Sequence, residues 1–146
     1  MKISILLPYK ENFSPLYAGA VSIFINDTSK ISKFKKNIII YGNTTNKLRF
    51  SKSYINLEYK KSFLKSSSKS YILEFLKKEK EINSDIIELH NRPSYLKYLV
   101  ELKYPKKVLY FHNDPLEMNG SKKIKDRIFL INNLDKIIFN SDWSKS

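Results

Sequence analysis

The sequence predicts an α/β domain in which a mainly parallel β-sheet is covered by helices on both sides. Short apolar runs alternate with amphipathic segments along the whole chain, and most of these runs are apolar on both faces. No linker or internal repeat interrupts this alternation in the 146 residues, of which 42% are hydrophobic. These observations predict one Rossmann-like three-layer domain that is large enough to bury a real core.

Five of the predicted strands are apolar runs that end at turn-forming residues. They cover residues 3–7, 37–41, 85–90, 107–112 and 136–140. Residues 54–59 differ, because their apolar side chains alternate with Asn56 and Glu58. That alternation predicts a half-exposed strand near an edge of the sheet.

Four helices are predicted between these strands from apolar residues at helical spacing. The first begins near Val21, and the serines at 66–68 are placed to cap the second. Pro93 lies in the first turn of the third helix. Ser121 is expected to cap the fourth, whose apolar stripe is formed by Ile124, Ile128 and Ile131.

The net charge of +13 comes mainly from lysine, which is 24 of the 27 basic residues. Proteins that bind phosphates and bases usually favour arginine, whose planar guanidinium binds in a bidentate manner, so no nucleic-acid partner is expected. The excess is also local, since residues 30–80 carry 14 basic and 3 acidic side chains. A partner that recognises this charge would therefore contact one segment of the chain.

Several classes of protein are disfavoured by what the sequence lacks. It has no cysteine, and no apolar run approaches the length of about 18 residues that a membrane span needs. The apolar stretch at residues 3–8 is too short for a signal-peptide core, which predicts a cytoplasmic chain. Glycine occurs only at 19, 42 and 120, so there is no dinucleotide fingerprint, P-loop or Gly-x-Ser-x-Gly elbow. The histidines have no partner at zinc-ligand spacing, and neither a metal nor a cofactor is expected.

Polar residues follow the predicted strands, at the edge where ligands bind in open α/β sheets. Both histidines stand there, one strand–helix period apart, at His90 and His112. The other candidates at this edge are Lys10, Asn91, Arg92, Asn113, Asp114 and Ser141. Asn, Asp and Ser at such positions also cap helices and satisfy loop amides, and Lys10 with Glu11 is also interpreted as a solvated pair.

Three strings of this sequence, taken in order, resemble a known family. Residues 85–93 (DIIELHNRP), 108–115 (VLYFHNDP) and 135–141 (DKIIFNS) are similar to the N-terminal half of GT-B glycosyltransferases of family 4. The resemblance covers essentially the whole chain. It implies the Rossmann-like, acceptor-side half of an enzyme that moves a sugar from a nucleotide-sugar to a glycan or glycolipid, with retention and without a metal.

The resemblance also implies that the sugar-nucleotide-binding half lies beyond residue 146. Residues 141–146 look like the first turn of a further helix, so the domain spanning 1–146 is expected to be truncated and inactive alone. In relatives of this kind, N-terminal halves rest on anionic membranes. The basic segment 30–80 is therefore expected to make a peripheral contact at the inner face of the cell membrane.

Residue roles follow from the same resemblance. His112 corresponds to the histidine that faces the transferred sugar, and is the expected catalytic residue. The backbone amides of Gly19, Ala20 and Val21, at a helix N-terminus, are expected to bind the donor phosphate and sugar, with Gly19-Ala20 in place of a usual Gly-Gly pair. The acceptor side is expected to be formed by Lys10, His90, Asn91, Arg92, Asn113, Asp114 and Ser141.

Two alternatives remain open from the sequence. One is a non-enzymatic basic α/β module that binds RNA or an anionic membrane surface. The absence of the aromatic and basic interleaving typical of RNA-binding motifs disfavours it. The other is a nucleotide-sugar epimerase with the same GT-B-like architecture.

Overall fold

The computed structural model describes residues 1–142 and contains a six-stranded sheet in which every pair of neighbouring strands is parallel. The strand order is β3-β2-β1-β4-β5-β6. The strands are β1 (Ile3–Leu6), β2 (Ile38–Gly42), β3 (Tyr54–Asn56), β4 (Ile86–His90), β5 (Lys106–Phe111) and β6 (Lys136–Phe139). The predicted α/β class, the parallel sheet and the position of residues 54–56 at a sheet edge are confirmed.

Helices cover both faces of the sheet and complete the three-layer, Rossmann-like architecture. They are α1 (Ala20–Ile31), α2 (Ser67–Ile82), α3 (Leu96–Leu99) and α4 (Ile124–Asn133). Short 3-10 turns lie at Lys35–Asn37, Pro93–Tyr95 and Pro115–Glu117. The Ser66 hydroxyl accepts a hydrogen bond from the Lys69 amide at 3.2 Å, so the predicted cap of the second helix is confirmed.

Successive strand residues point to opposite faces, and this divides the core in two. On one face, α1 buries Val21 and Ile25 against Ile5, Ile38 and Ile40. On the other face, α2, α3 and α4 pack on the remaining strand residues. The larger core there includes Leu6, Tyr41, Tyr71, Phe75, Leu89, Leu99, Leu109, Phe111 and Leu130.

The α1 face of β4 and β5 is polar, in contrast to the rest of the interior. Glu88 and His90 alternate along β4 with the core residues Ile87 and Leu89, and the parallel register pairs His90 with Tyr110 of β5. Polar side chains from two adjacent strands are therefore collected on one face, close to the carboxyl ends of the strands.

Two predictions about local structure are wrong. Residues 57–59 do not continue the edge strand, because β3 pairs only with β2, and β2 ends at Gly42. Ser121 does not cap α4; its hydroxyl donates to the carbonyls of Pro115 and Met118, and Lys123 holds the cap position.

The apolar stripe of α4 does not face the core as expected. Ile124, Ile128 and Ile131 are 70%, 54% and 68% exposed, while Leu130 is buried against the sheet. The helix predicted to begin near residue 141 falls mostly on residues 143–146, outside the described residues. Within residues 1–142, no helix has both the length and the apolar character required to cross a membrane.

Candidate functional site

The two histidines meet at the carboxyl edge of β4 and β5. His90 Nδ1 lies 2.8 Å from His112 Nε2, and the two rings stack with centroids 5.1 Å apart. His90 is the last residue of β4 and is fully buried, whereas His112 directly follows β5 and is half-buried. The structure thus brings together the two residues that the sequence placed one strand–helix period apart.

Glu88 extends this pair into a chain of three side chains. Its Oε1 lies 2.7 Å from His90 Nε2, on the opposite side of the imidazole from His112. The sequence analysis missed Glu88, although it stands two residues before His90 and therefore on the same face of the strand. An acidic residue inside an otherwise apolar run was the available signal.

For a neutral His90, the hydrogen-bond partners assign a proton to one nitrogen of each ring. A carboxylate only accepts hydrogen bonds, so His90 Nε2 donates to Glu88. A neutral His90 then accepts at Nδ1, which requires His112 to donate from Nε2. His112 Nδ1 is left without a proton, and it makes no hydrogen bond within residues 1–142. The hydrogen-bonded series Glu88–His90–His112 therefore ends in a hydrogen-bond acceptor, the Nδ1 atom of His112.

The surroundings of His112 keep its ring uncharged near neutral pH. Burial lowers the pKa of His112 to about 4, and the neighbouring His90 acts in the same direction while Glu88 opposes it. Tyr110 stacks on the His112 ring at 4.5 Å between centroids, and Phe24 of α1 meets it edge-on at 4.8 Å. These contacts hold His112 as a neutral acceptor in one orientation.

Phe24 also places His112 beside the N-terminus of α1. The helix begins at Ala20, one turn before Phe24 on the same side of the helix. The first amides of a helix lack intrahelical acceptors and favour anions. The histidine acceptor therefore packs against the same helix that carries these donors.

Part of this helix terminus is occupied by the chain's own Glu11. The Ser22 amide donates to Glu11 Oε1 at 3.0 Å, and a Cβ added to Gly19 would lie 2.0 Å from the same oxygen. The interpretation of Glu11 as half of a solvated pair is therefore wrong. The amides of Ala20 and Val21, both predicted phosphate donors, have no acceptor within residues 1–142.

Asn91 fixes the turn that carries His112. Its Oδ1 accepts from the His112 amide at 2.8 Å and the Asn113 amide at 3.3 Å, and its Nδ2 donates to Asn113 Oδ1 at 2.9 Å. Asn91 has a φ of 51°, a left-handed conformation that asparagine tolerates better than most residues. The side chains of Asn91 and Asn113 are thus used in holding the strand ends together.

The remaining predicted residues at this end have mixed surroundings. Asp114 caps the turn at Pro115–Glu117 by accepting from the Leu116 amide at 2.9 Å. Arg92 is exposed and lines a polar cleft of about 490 Å³ that also includes Tyr95 and Lys122. Ser141 is exposed beyond the end of β6. Its neighbour Asn140, which the sequence analysis did not select, donates to the His112 carbonyl at 2.7 Å.

Lys10 lines a separate cleft of about 480 Å³ at the ends of β1 and β2. It is exposed, with a φ of 66°, and its ammonium lies 5.6 Å from the centroid of the Tyr9 ring. Tyr59 donates to the Tyr9 hydroxyl at 2.5 Å, and Asn43 and Lys61 complete this part of the wall. The Glu58 carboxylate lines the same cleft, and this mixture of aromatic, amide and oppositely charged groups suits a hydroxyl-rich ligand.

The fold and the site together define a Rossmann-like α/β domain in which Glu88, His90 and His112 form a hydrogen-bonded series at the carboxyl edge of the sheet. No group of three His, Asp or Glu side chains in residues 1–142 is arranged to hold a metal ion. No protein-family model matches the chain, and no curated protein matches it significantly.

Proposed function

We propose that this chain is the N-terminal, acceptor-side domain of a GT-B glycosyltransferase of family 4. It takes part in moving a sugar from a nucleotide-sugar donor to a glycan or lipid-linked acceptor, with retention and without a metal ion. One observation carries the proposal: a neutral His112 with a free Nδ1 packs against Phe24 of α1, and the first amides of that helix, at Ala20 and Val21, have no acceptor within residues 1–142.

This arrangement matches two parts of a sugar phosphate. A sugar hydroxyl is a hydrogen-bond donor, and His112 Nδ1 accepts it without a change of charge. A phosphate is an anion, and the amides of Ala20 and Val21 at the positive end of α1 are donors for it. Arg92, which lines the polar cleft beside Asn91, and Asn113 are the proposed contacts for the acceptor. The donor's nucleotide is bound by the C-terminal half, so residues 1–146 have no transferase activity by themselves.

The hydrogen-bonded side chains of Glu88, His90 and His112 favour an enzyme over a non-enzymatic module. A fully buried imidazole that is bonded to a half-buried carboxylate costs stability relative to an apolar core of the same shape, even when the hydrogen bonds are satisfied. A module that only binds RNA or lipid through surface lysines has no use for such a chain at the ligand edge. A nucleotide-sugar epimerase would use the same edge, and the products of the full enzyme distinguish it from a transferase.

The proposed partners include a membrane. Residues 30–80, with their excess of lysine, contact the anionic inner face of the cell membrane, where a lipid-linked acceptor is available. The protein is accordingly proposed to be cytoplasmic and peripheral to that membrane.

The experiment that tests the site is an NMR titration of the labelled chain with glucose 1-phosphate, with inorganic phosphate as the matched control. We expect the sugar phosphate to shift the His112 imidazole signals and the amides of Ala20 and Val21. Inorganic phosphate should shift the amides alone. His112→Ala should abolish the response specific to the sugar and leave the phosphate response. If glucose 1-phosphate shifts none of these signals, the proposed site at His112 and the amides of Ala20 and Val21 is wrong.

A further inference from the structure

A turn between β3 and α2 presents two adjacent apolar side chains to solvent. Phe63 is 104% exposed and Leu64 is 89% exposed. Ser62 shapes the turn, because its hydroxyl accepts from the Leu64 amide at 3.3 Å and its carbonyl from the Lys65 amide at 3.5 Å. Single exposed apolar residues are ordinary on protein surfaces, but two neighbours at the tip of a shaped turn form a small apolar surface.

Positive charge surrounds this tip. Four exposed lysines lie between residues 60 and 69, and no acidic residue occurs from 59 to 73. We call residues 60–69 the anchor loop; its lysines are Lys60, Lys61, Lys65 and Lys69. The long lysine side chains can keep their ammonium groups in water while the apolar tip is buried.

We infer that the anchor loop inserts Phe63 and Leu64 into the interface of a bilayer containing anionic lipid. The inference rests on the proposed membrane contact of residues 30–80 and narrows it to one turn. A bilayer accepts a convex tip without a preformed pocket, whereas a protein partner must supply a matching cavity. Single-stranded nucleic acid stacks its bases on aromatic rings, and the aliphatic Leu64 offers no such platform.

The anchor loop also orients the cleft beside it. Tyr59 and Lys61 line the cleft that holds Lys10 and Tyr9, and they lie at the base of the loop. Insertion of the tip therefore places the mouth of this cleft against the headgroup region. An acceptor attached to a lipid anchor enters such a cleft from the membrane side, and its hydroxyl groups meet Lys10, Glu58 and Lys61.

The test is co-sedimentation of the chain with vesicles of phosphatidylcholine alone, or mixed with phosphatidylglycerol in equal parts. The variant Phe63→Ser/Leu64→Ser removes the apolar tip and keeps every charge. Both side chains are exposed, so the fold is not affected. The matched control is Ile31→Ser, which removes an 86% exposed apolar side chain at the other end of the basic segment.

We expect salt-sensitive binding to the mixed vesicles and little binding to phosphatidylcholine alone. Loss of both tip residues should weaken binding by about tenfold or more, since each buried apolar side chain contributes strongly to partitioning. Ile31→Ser should bind like the wild type.

Equal binding of all three proteins, or equal binding to both kinds of vesicle, would overturn the inference. A single-stranded RNA that binds the wild type at least about tenfold more tightly than the tip variant would also overturn it, because the tip would then be a nucleic-acid contact. The glucose 1-phosphate titration does not involve the anchor loop. A negative result in the vesicle experiment therefore leaves the proposed role of His112 unaffected. A negative result in the glucose 1-phosphate titration leaves the proposed membrane contact unaffected.

Discussion

His90 Nδ1 and His112 Nε2 are 2.8 Å apart, and this contact joins two strand ends into one hydrogen-bonded unit. Because Glu88 fixes the proton on the far side of His90, the protonation of His112 depends on a carboxylate that it does not touch. Glu88 and His90 are thus positioning residues for the nitrogen that the proposed function uses. The predictions below follow from this chain and from the groups that support it.

Glu88→Gln should loosen the assignment of protons along the chain. A glutamine amide can donate or accept, so His90 Nε2 is no longer obliged to donate, and a second tautomer of His112 should appear. The pKa of His112 should also fall, because the carboxylate opposes its depression. Imidazole ¹⁵N spectra measure both effects, and the two histidines of this chain are readily distinguished. Glu81→Gln, on the exposed surface of α2, is the control of equal charge change.

Stability should decline as the pH falls from about 6.5 towards 4. The pKa of His112 is about 4 in the folded protein and 6.5 when unperturbed, so within this window the unfolded state binds a proton that the folded state does not. Above pH 6.5 the contribution is fully present. Urea unfolding at a series of pH values measures the slope, which should be reduced in His112→Gln. The Asp85 carboxyl titrates below this pH window, because its pKa is lowered from the usual value of 3.8. An identical slope in both proteins between pH 6.5 and 4 would contradict this account of His112.

Glu11→Gln should weaken the fold and strengthen anion binding at the same time. The carboxylate satisfies the Ser22 amide and places negative charge at the N-terminus of α1. Glutamine can still accept from the Ser22 amide, so the loss of the charge should cost about 0.3–1 kcal/mol, measured by urea unfolding. Inorganic phosphate should shift the amides of Ala20 and Val21 at lower concentration in the variant. Glu81→Gln should change neither quantity. Unchanged phosphate affinity in Glu11→Gln would show that the carboxylate does not compete for this helix end.

Asn91 variants should separate the backbone conformation from the side-chain bonds. Asn91→Gly keeps the left-handed φ easily but removes the acceptor of the His112 and Asn113 amides. Asn91→Asp retains that acceptor and loses only the donor to Asn113. Gly should therefore cost about 1–3 kcal/mol by urea unfolding and broaden the His112 signals, and Asp should cost less. Equal losses in the two variants would mean that the Oδ1 bonds do not position His112.

The parallel sheet was predictable because most of its strands are apolar on both faces. Runs such as 37–41 and 107–112 contain few polar residues, and helical segments separate them. The meeting of His90 and His112 followed from the same alternation, since equivalent ends of adjacent parallel strands share one edge. The order of strands and helices along the sequence therefore predicts which residues lie at the site as well as the fold.

Other features depend on tertiary contacts that no local pattern shows. Ser121 has the residue type of a helix cap, yet its hydroxyl bonds to Pro115 and Met118 in the preceding turn. Glu11 reaches α1 across a loop of several residues, and only the folded chain reveals the Ser22 amide as its partner. The side of α4 that carries Leu130 packs against the sheet, and the side that carries Ile128 is exposed. Helical spacing alone does not show which of the two sides is buried.

The most direct test of the central claim is the imidazole ¹⁵N spectrum of the wild-type chain at neutral pH. The claim is that His112 presents an unprotonated Nδ1 at the ligand-binding edge. We expect His112 to be neutral with its proton on Nε2, His90 to carry a proton on its Nε2, and the His112 Nδ1 signal to move when glucose 1-phosphate is added. A His112 that is doubly protonated at neutral pH, or that carries its proton on Nδ1, would contradict it.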